Sequence, residues 1–150
     1  MEKIKFILPS SEMKPAAAAF HQAFTDCGEE QIAGILSLDT FDNFTDWLDT
    51  LRLDPSTTYF VFRLSDNRLI GIVNIQHRLS KYGHISCSVR PDERNKGYGA
   101  EILRLALDRA REFGVIDAEV VCPAHNAAAR KIIRRNGLEK LDATTYHKIL

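Results

Sequence analysis

Residues 89–100 read VRPDERNKGYGA, and this segment joins the end of a predicted strand to the start of a predicted helix. The first backbone amides of a helix have no partner within the helix, and the helix dipole adds about half a positive charge at that end. Gly97 and Gly99 have no Cβ atoms, so an anion can approach the backbone closely. Arg94 and Lys96 add two full positive charges. The segment therefore predicts a binding site for an anionic group.

Strand and helix patterns continue on both sides of this segment. Alternating or β-branched runs predict strands at 2–8, 59–62, 69–75, 84–90 and 118–122. Apolar residues at helical spacing predict helices over 15–27, 44–51, 97–113 and 125–135, and residues 138–150 have room for one or two further strands. The order β-α-α-β-β-β-α-β-α-β indicates one mixed α/β (α+β) domain over residues 1–150 with a mostly antiparallel sheet. The strand-helix-strand unit from His84 to Cys122 is expected to be parallel and right-handed.

The composition excludes several classes of protein. A chain of 150 residues fits one domain whose core needs no metal and no disulfide. Twenty basic residues balance twenty acidic ones, and no motif mixes aromatic and basic residues, so we expect no nucleic-acid partner. Cys27, Cys87 and Cys122 are too widely spaced for a zinc site, and we expect no metal. No signal peptide and no apolar run of membrane-spanning length is present, so we expect no membrane partner and a cytoplasmic location.

The spacing of the glycines narrows the identity of the anion. The phosphate-binding pattern GxxxxGK[ST] is absent, and the dinucleotide pattern GxGxxG fails because Ile102 stands three residues after Gly99. The remaining pattern, Arg-x-x-Gly-x-Gly after a strand, resembles the acetyl-CoA pyrophosphate loop of the GCN5-related N-acetyltransferase (GNAT) family. The family order continues with a strand, with Asn126 at the start of the next helix, and with Asn136-Gly137-Leu138 at its end. The resemblance covers residues 59–138.

The resemblance implies a GNAT-like fold and transfer of an acetyl group from acetyl-CoA, the co-substrate, to a primary amine that attacks the thioester directly. It implies that the backbone of Cys87, Ser88 and Val89 binds the pantetheine arm and that Asn126 contacts the cofactor near that arm. It implies that the strands of Val89 and Val121 separate around the thioester. It implies that main-chain N–H groups hold the pyrophosphate, and they belong to Arg94, Asn95, Lys96, Gly97, Tyr98, Gly99 and Ala100.

The catalytic residues depart from the family pattern. The family commonly has a Tyr after the Asn that protonates the leaving thiolate, and Ile133 holds that position here. An amine must lose a proton before it attacks, and His84, His77 and Glu119 are the candidate bases. His84 is preferred because it begins the strand implied in pantetheine binding and because imidazole titrates near neutral pH. The alternatives are a His84 bonded to backbone at a strand end and a Glu119 carboxylate paired with a surface cation.

Two functions stay open at this stage. The chain is an enzyme, or it is a sensor or interaction module that binds CoA or acyl-CoA on the same fold without turnover. The missing Tyr adds weight to the second function. The neutral net charge does not distinguish a small-molecule acceptor from a peptide acceptor, and a homodimer stays open. The stretch from Gly83 to Leu107 is similar to a subgroup of the family whose acceptors are mostly undefined.

Overall fold

The secondary structure follows the predicted order. The structure is a computed structural model that describes residues 2–29, 32–33, 43–53 and 55–150. Its strands are β1 (Ile4–Ile7), β2 (Ser56–Arg63), β3 (Arg68–Ser80), β4 (Gly83–Val89), β5 (Asp117–Val121), β6 (Glu139–Lys140) and β7 (Thr145–Ile149). Its α-helices are α1 (Lys14–Asp26), α2 (Phe44–Leu51), α3 (Tyr98–Glu112) and α4 (Ala127–Arg135). The predicted α+β fold is confirmed, and residues 138–150 supply two strands.

One sheet, in the order β1-β2-β3-β4-β5-β7-β6, separates two apolar cores. Successive side chains of a strand point to opposite faces, so neighbouring residues of β2 enter different cores. Val61 lies in the core that α3 and α4 cover, where it joins Ile102. Phe60 lies in the core that α1 and α2 cover, where its ring stacks on Trp47 with the ring centroids 5.7 Å apart. The site described below lies at the edge of the α3–α4 side.

Asparagine caps define the starts of two helices. The Asn43 side chain accepts a hydrogen bond from the backbone amide of Asp46, as expected for the residue before α2. The Asn126 side chain accepts from the backbone amide of Ala129 at 3.0 Å, so α4 begins two residues after the predicted start at His125. In the part of the chain that the structure describes, no helix has the length and apolarity needed to cross a membrane.

The expected parallel pairing of β4 with β5 is wrong. Where both strands are described they share a single backbone pair, Gly83 with Val120, and its geometry is antiparallel. The backbones approach so closely there that a Cβ on Gly83 would lie 2.5 Å from the carbonyl oxygen of Glu119. No further pair of β4 with β5 is described, and residues of β4 and the end of β5 both line a cavity. The predicted opening between the strands of Val89 and Val121 is therefore present.

Candidate active site

A cavity of about 950 Å³ lies between β4, β5 and the starts of α3 and α4. Volumes of about 300–1,000 Å³ are typical of sites for small molecules and cofactors. Most of the predicted cofactor residues line this cavity. They are Cys87, Ser88, Val89, Arg94, Asn95, Gly97, Gly99, Ala100 and Asn126.

The loop before α3 has the conformation of an anion site. Asn95 and Gly97 have φ angles of +61° and +91°, and Asn and Gly are the residues that adopt this left-handed region most readily. Gly97 is the residue that precedes α3, and it has no side chain to cap the helix. The first amides of a fifteen-residue helix are therefore left for a ligand that lies in the cavity.

Two predicted cofactor residues do not line the cavity. The ammonium group of Lys96 donates to Glu93 Oε1 at 2.7 Å. The side chain of Tyr98 is buried, and its hydroxyl lies 3.3 Å from Arg63 Nη1. Neither residue lines the cavity, and both side chains contact the Glu93–Arg63 pair instead.

Arg94 lies at the rim of the cavity, already paired with a carboxylate. Its guanidinium donates to both oxygens of Glu29, at 2.8 and 2.9 Å, and lies over the ring of Phe24. The hydrogen bonds from Arg94 hold the pKa of Glu29 below its usual value. The Ser88 hydroxyl donates to the carbonyl oxygen of Ala33 at 2.8 Å. Glu29 and Ala33 therefore connect the chain after α1 to both the loop and β4.

The Asn126 side chain caps α4 and also lines the cavity. Its amide oxygen is used by the α4 cap. Its amide nitrogen, Nδ2, makes no hydrogen bond to any described residue, and the side chain lines the cavity. The nitrogen is the atom that a ligand could use as a donor.

The cysteines of the cavity are neutral packed residues. Burial raises the pKa of the Cys87 thiol to about 11, and burial also raises the pKa of Cys122. A nucleophilic cysteine needs a thiolate at neutral pH. This agrees with the packing role expected from the alternation of Cys87 with Ile85 and Val89.

None of the three candidate bases lines the cavity. His84 is 8% exposed, and its Nδ1 accepts a hydrogen bond from the Glu119 backbone amide at 3.0 Å. Burial lowers the pKa of His84 below its usual value, and a neutral ring that accepts at Nδ1 carries its proton on Nε2. His77 lies 2.8 Å from the Thr57 hydroxyl and packs on Phe113.

Ser86 is a cavity residue that sequence reasoning missed. It lies on β4 two positions from His84, so the two side chains share a face of the strand. The strict alternation of residues 84–90 could have identified Ser86 from the sequence, because it places Ser86 and Ser88 on the strand face opposite Ile85 and Cys87.

A cavity between two separated strands, with an uncapped helix start at one end, suits an anionic ligand and is the arrangement that the resemblance implied for acetyl-CoA. The chain belongs to the Acetyltransferase (GNAT) family, whose family model matches residues 16–138. It is an N-acetyltransferase that uses acetyl-CoA, which confirms the predicted family and reaction. A search of curated protein sequences gives no match to this chain.

Solved structures share the fold at low sequence identity. Ribosomal-protein-S5-alanine acetyltransferase from Vibrio fischeri has 12% identity and a TM-score of 0.74, covering 99% of this chain and 94% of that one. The microcin C7 self immunity acetyltransferase, in complex with acetyl-CoA and AMP, has 11% identity and a TM-score of 0.76, covering 100% and 94%. The Salmonella typhimurium enzyme that modifies the N-terminal serine of ribosomal protein L7/L12 has 14% identity and a TM-score of 0.72, covering 98% and 95%.

Proposed function

We propose that this N-acetyltransferase acetylates a primary amine, on a small molecule or a peptide, by direct attack of the amine on the thioester of acetyl-CoA. The observation that carries the proposal is the uncapped start of α3, which opens into the cavity between β4 and β5. The cavity's two cysteines keep their protons at neutral pH, so no activated thiol is at hand for a covalent acyl-enzyme.

The chain's backbone holds the cofactor in this proposal. The amides of residues 94–100 bind the diphosphate, whose charge suits the positive end of α3. The backbone groups of Cys87, Ser88 and Val89 bind the pantetheine arm, and they have no β5 partner because the pairing of β4 with β5 is confined to Gly83 and Val120 within the described residues. The Asn126 amide nitrogen donates a further hydrogen bond to the cofactor near its pantetheine portion.

The acceptor amine must arrive as the neutral base. A lysine-like amine has a pKa of about 10.4, so neutralising it at pH 7 costs about 4–5 kcal/mol. Of the candidates His84 and Glu119, we take Glu119 as the base. The unprotonated nitrogen of His84, Nδ1, already accepts a hydrogen bond from the Glu119 backbone amide. Solvent water carries the proton from the amine to the Glu119 carboxylate, because Glu119 does not line the cavity and neither ring nitrogen of the neutral His84 is available to accept a proton. Ile133 replaces the family Tyr, so solvent water protonates the leaving thiolate.

The assignment of the base is tested by Glu119→Gln, His84→Gln and Ser86→Ala. A general base contributes about 10²–10⁴-fold, so we expect Glu119→Gln to lower kcat by at least about 100-fold with unchanged CoA affinity. His84→Gln should reduce stability more than it reduces kcat. The measurement is the pH dependence of kcat/KM for each variant. A Glu119→Gln enzyme with the wild-type pH profile would exclude Glu119 as the base.

The activity itself is tested by thiol release from acetyl-CoA with a panel of amines. The panel includes peptides with N-terminal serine and alanine, because two fold neighbours act on ribosomal proteins, and it includes aminoglycosides and polyamines. Thiol release that depends on one acceptor supports the proposal. Tight CoA binding in calorimetry without release for any amine would favour the sensor or interaction module instead. A cytoplasmic location and a homodimer stay predictions, and sedimentation equilibrium tests the dimer.

A further inference from the structure

Glu93 is a buried carboxylate that the proposed reaction does not use. Its side chain is 1% exposed, and it ends the short 3-10 turn Pro91–Glu93 immediately before loop residues 94–100. It accepts hydrogen bonds from Arg63 Nη1 at 2.6 and 2.9 Å and from Arg68 Nη1 at 3.2 Å. It also accepts from the ammonium group of Lys96 at 2.7 Å. Three cationic side chains therefore converge on one carboxylate directly before the loop that is proposed to bind the diphosphate.

Arg63 joins the loop to the sheet. It is the last residue of β2, and its side chain is 11% exposed. Besides Glu93, its guanidinium bonds both carboxylate oxygens of Asp66, at 2.7 and 3.0 Å, and the Tyr98 hydroxyl at 3.3 Å. Glu93, which precedes the loop, and Tyr98, the first residue of α3, thus both form hydrogen bonds with the Arg63 guanidinium. Glu93 itself lines the cavity, so this attachment borders the proposed cofactor site.

The two sides of the loop have different partners. Arg94, Asn95 and Gly97 line the cavity, whereas Lys96 and Tyr98 contact Glu93 and Arg63. Burial alone would raise the pKa of Glu93, but the hydrogen bonds from Lys96 and Arg63 outweigh it and hold the pKa below its usual value. Glu93 is therefore ionised at neutral pH.

We propose that Glu93 is a positioning residue for the cofactor. Through Arg63 it holds loop residues 94–100 in the conformation that presents their amides to the diphosphate, and it keeps the Lys96 ammonium outside the cavity. Loss of one partner of a buried pair leaves an uncompensated charge, so the loop should respond strongly to removal of the Glu93 charge. The inference rests on the proposed binding of the CoA diphosphate by this loop.

The test compares Glu93→Gln with Asp66→Asn, which removes an exposed partner of the same Arg63. Calorimetry with CoA should give a Kd at least about tenfold higher for Glu93→Gln and within about twofold of wild type for Asp66→Asn. Hydrogen exchange of the amides of residues 94–100 should become faster in Glu93→Gln, without a similar change in the amides of β2 and β3. At saturating acetyl-CoA, kcat should stay within about twofold of wild type.

If Glu93 only stabilises the fold, CoA affinity and hydrogen exchange should respond differently. If Glu93→Gln lowers the melting temperature but binds CoA as wild type does, the inference is overturned. Faster exchange spread over the whole chain would overturn it too. If Glu93→Gln does not fold, Arg63→Lys serves instead, because lysine keeps the charge but loses the planar fork that reaches three partners. A wild-type protein that does not bind CoA would overturn the proposed function itself, so the two failures are distinct.

Discussion

Gly97 and Gly114 have nearly the same positive φ angle at opposite ends of α3. Their φ angles are +91° and +90°, a region that strains any residue with a Cβ. Gly97 lines the cavity, whereas a Cβ on Gly114 would meet nothing within 4 Å. Both positions therefore favour glycine because of their positive φ angles, but only Gly97 lies at the proposed anion site.

We predict that Gly97→Glu abolishes CoA binding, because its carboxylate would occupy the place of the phosphate. Gly114→Glu should keep the Kd for CoA within about twofold of wild type. Both variants should lose about 1–2 kcal/mol of stability from the same backbone strain. Calorimetry with CoA and thermal unfolding measure the two effects. Equal CoA affinity in the two variants would show that the anion does not bind at this loop.

Among the elements, α4 depends on a residue with two roles. Asn126 caps the helix with its amide oxygen and lines the cavity, whereas Asn43 caps α2 and does not line the cavity. An asparagine cap contributes about 1 kcal/mol when compared with alanine, and aspartate caps equally well. Substitutions at the two caps can therefore separate helix stability from ligand binding.

We predict that Asn126→Asp keeps the stability of the wild type but weakens CoA binding, because it removes the amide donor and adds a negative charge. Asn126→Ala should lose both binding and about 1 kcal/mol of stability. The control, Asn43→Ala, should lose a similar stability and keep the wild-type Kd for CoA. Calorimetry and urea unfolding measure the three variants. Unchanged affinity in Asn126→Asp would remove Asn126 from the binding site.

Across the whole molecule, several groups make the folded state sensitive to acid. Burial lowers the pKa of His84, so folding favours its neutral ring. The hydrogen bonds from Arg63 lower the pKa of Asp66 to about 2. For a group whose pKa is lowered by folding, the stability is present above the unfolded pKa and is lost as the pH falls. Acidification therefore lowers the stability of the folded state through both His84 and Asp66, but over different ranges of pH.

We predict that stability falls in two stages on acidification. The first begins below about pH 6.5, the ordinary pKa of histidine, and the second below about pH 4, the ordinary pKa of aspartate. His84→Gln should remove the first stage, and Asp66→Asn should reduce the second. Urea unfolding at pH 7.5, 5.5 and 3 measures both. A wild-type stability that does not change between pH 7.5 and 5.5 would contradict the assignment to His84.

Much of the fold and the position of the cavity could be predicted from local patterns. Alternation along β4 and helical spacing along α3 each act over a few residues, and both predicted elements are confirmed. The anion site at the glycines before and within the start of α3 stays a prediction. The pairing of β4 with β5 could not be predicted in this way, and the expected parallel pairing is wrong. It depends on how closely Gly83 approaches Val120, two residues that are distant in sequence.

The charges around the loop show the same limit. Lys96 was predicted to face the ligand, because a cation beside a glycine-rich loop suits a phosphate. Its actual partner, Glu93, is held in turn by Arg63, which lies 30 residues earlier. His84 was considered either as a base or as a strand-end histidine bonded to backbone, and its Nδ1 accepts from a backbone amide on another strand, as the second interpretation expects.

The order of elements, the proposed anion site at the start of α3 and the acetyltransferase family can all be inferred from the amino-acid sequence. They can be derived because capping, glycine conformation and hydrophobic periodicity are local properties. The folded chain alone decides which side chains face the cavity. That choice depends on burial and on hydrogen bonds between distant strands, and these turn Lys96 and Tyr98 toward Glu93 and Arg63 while the backbone amides remain available to the cofactor.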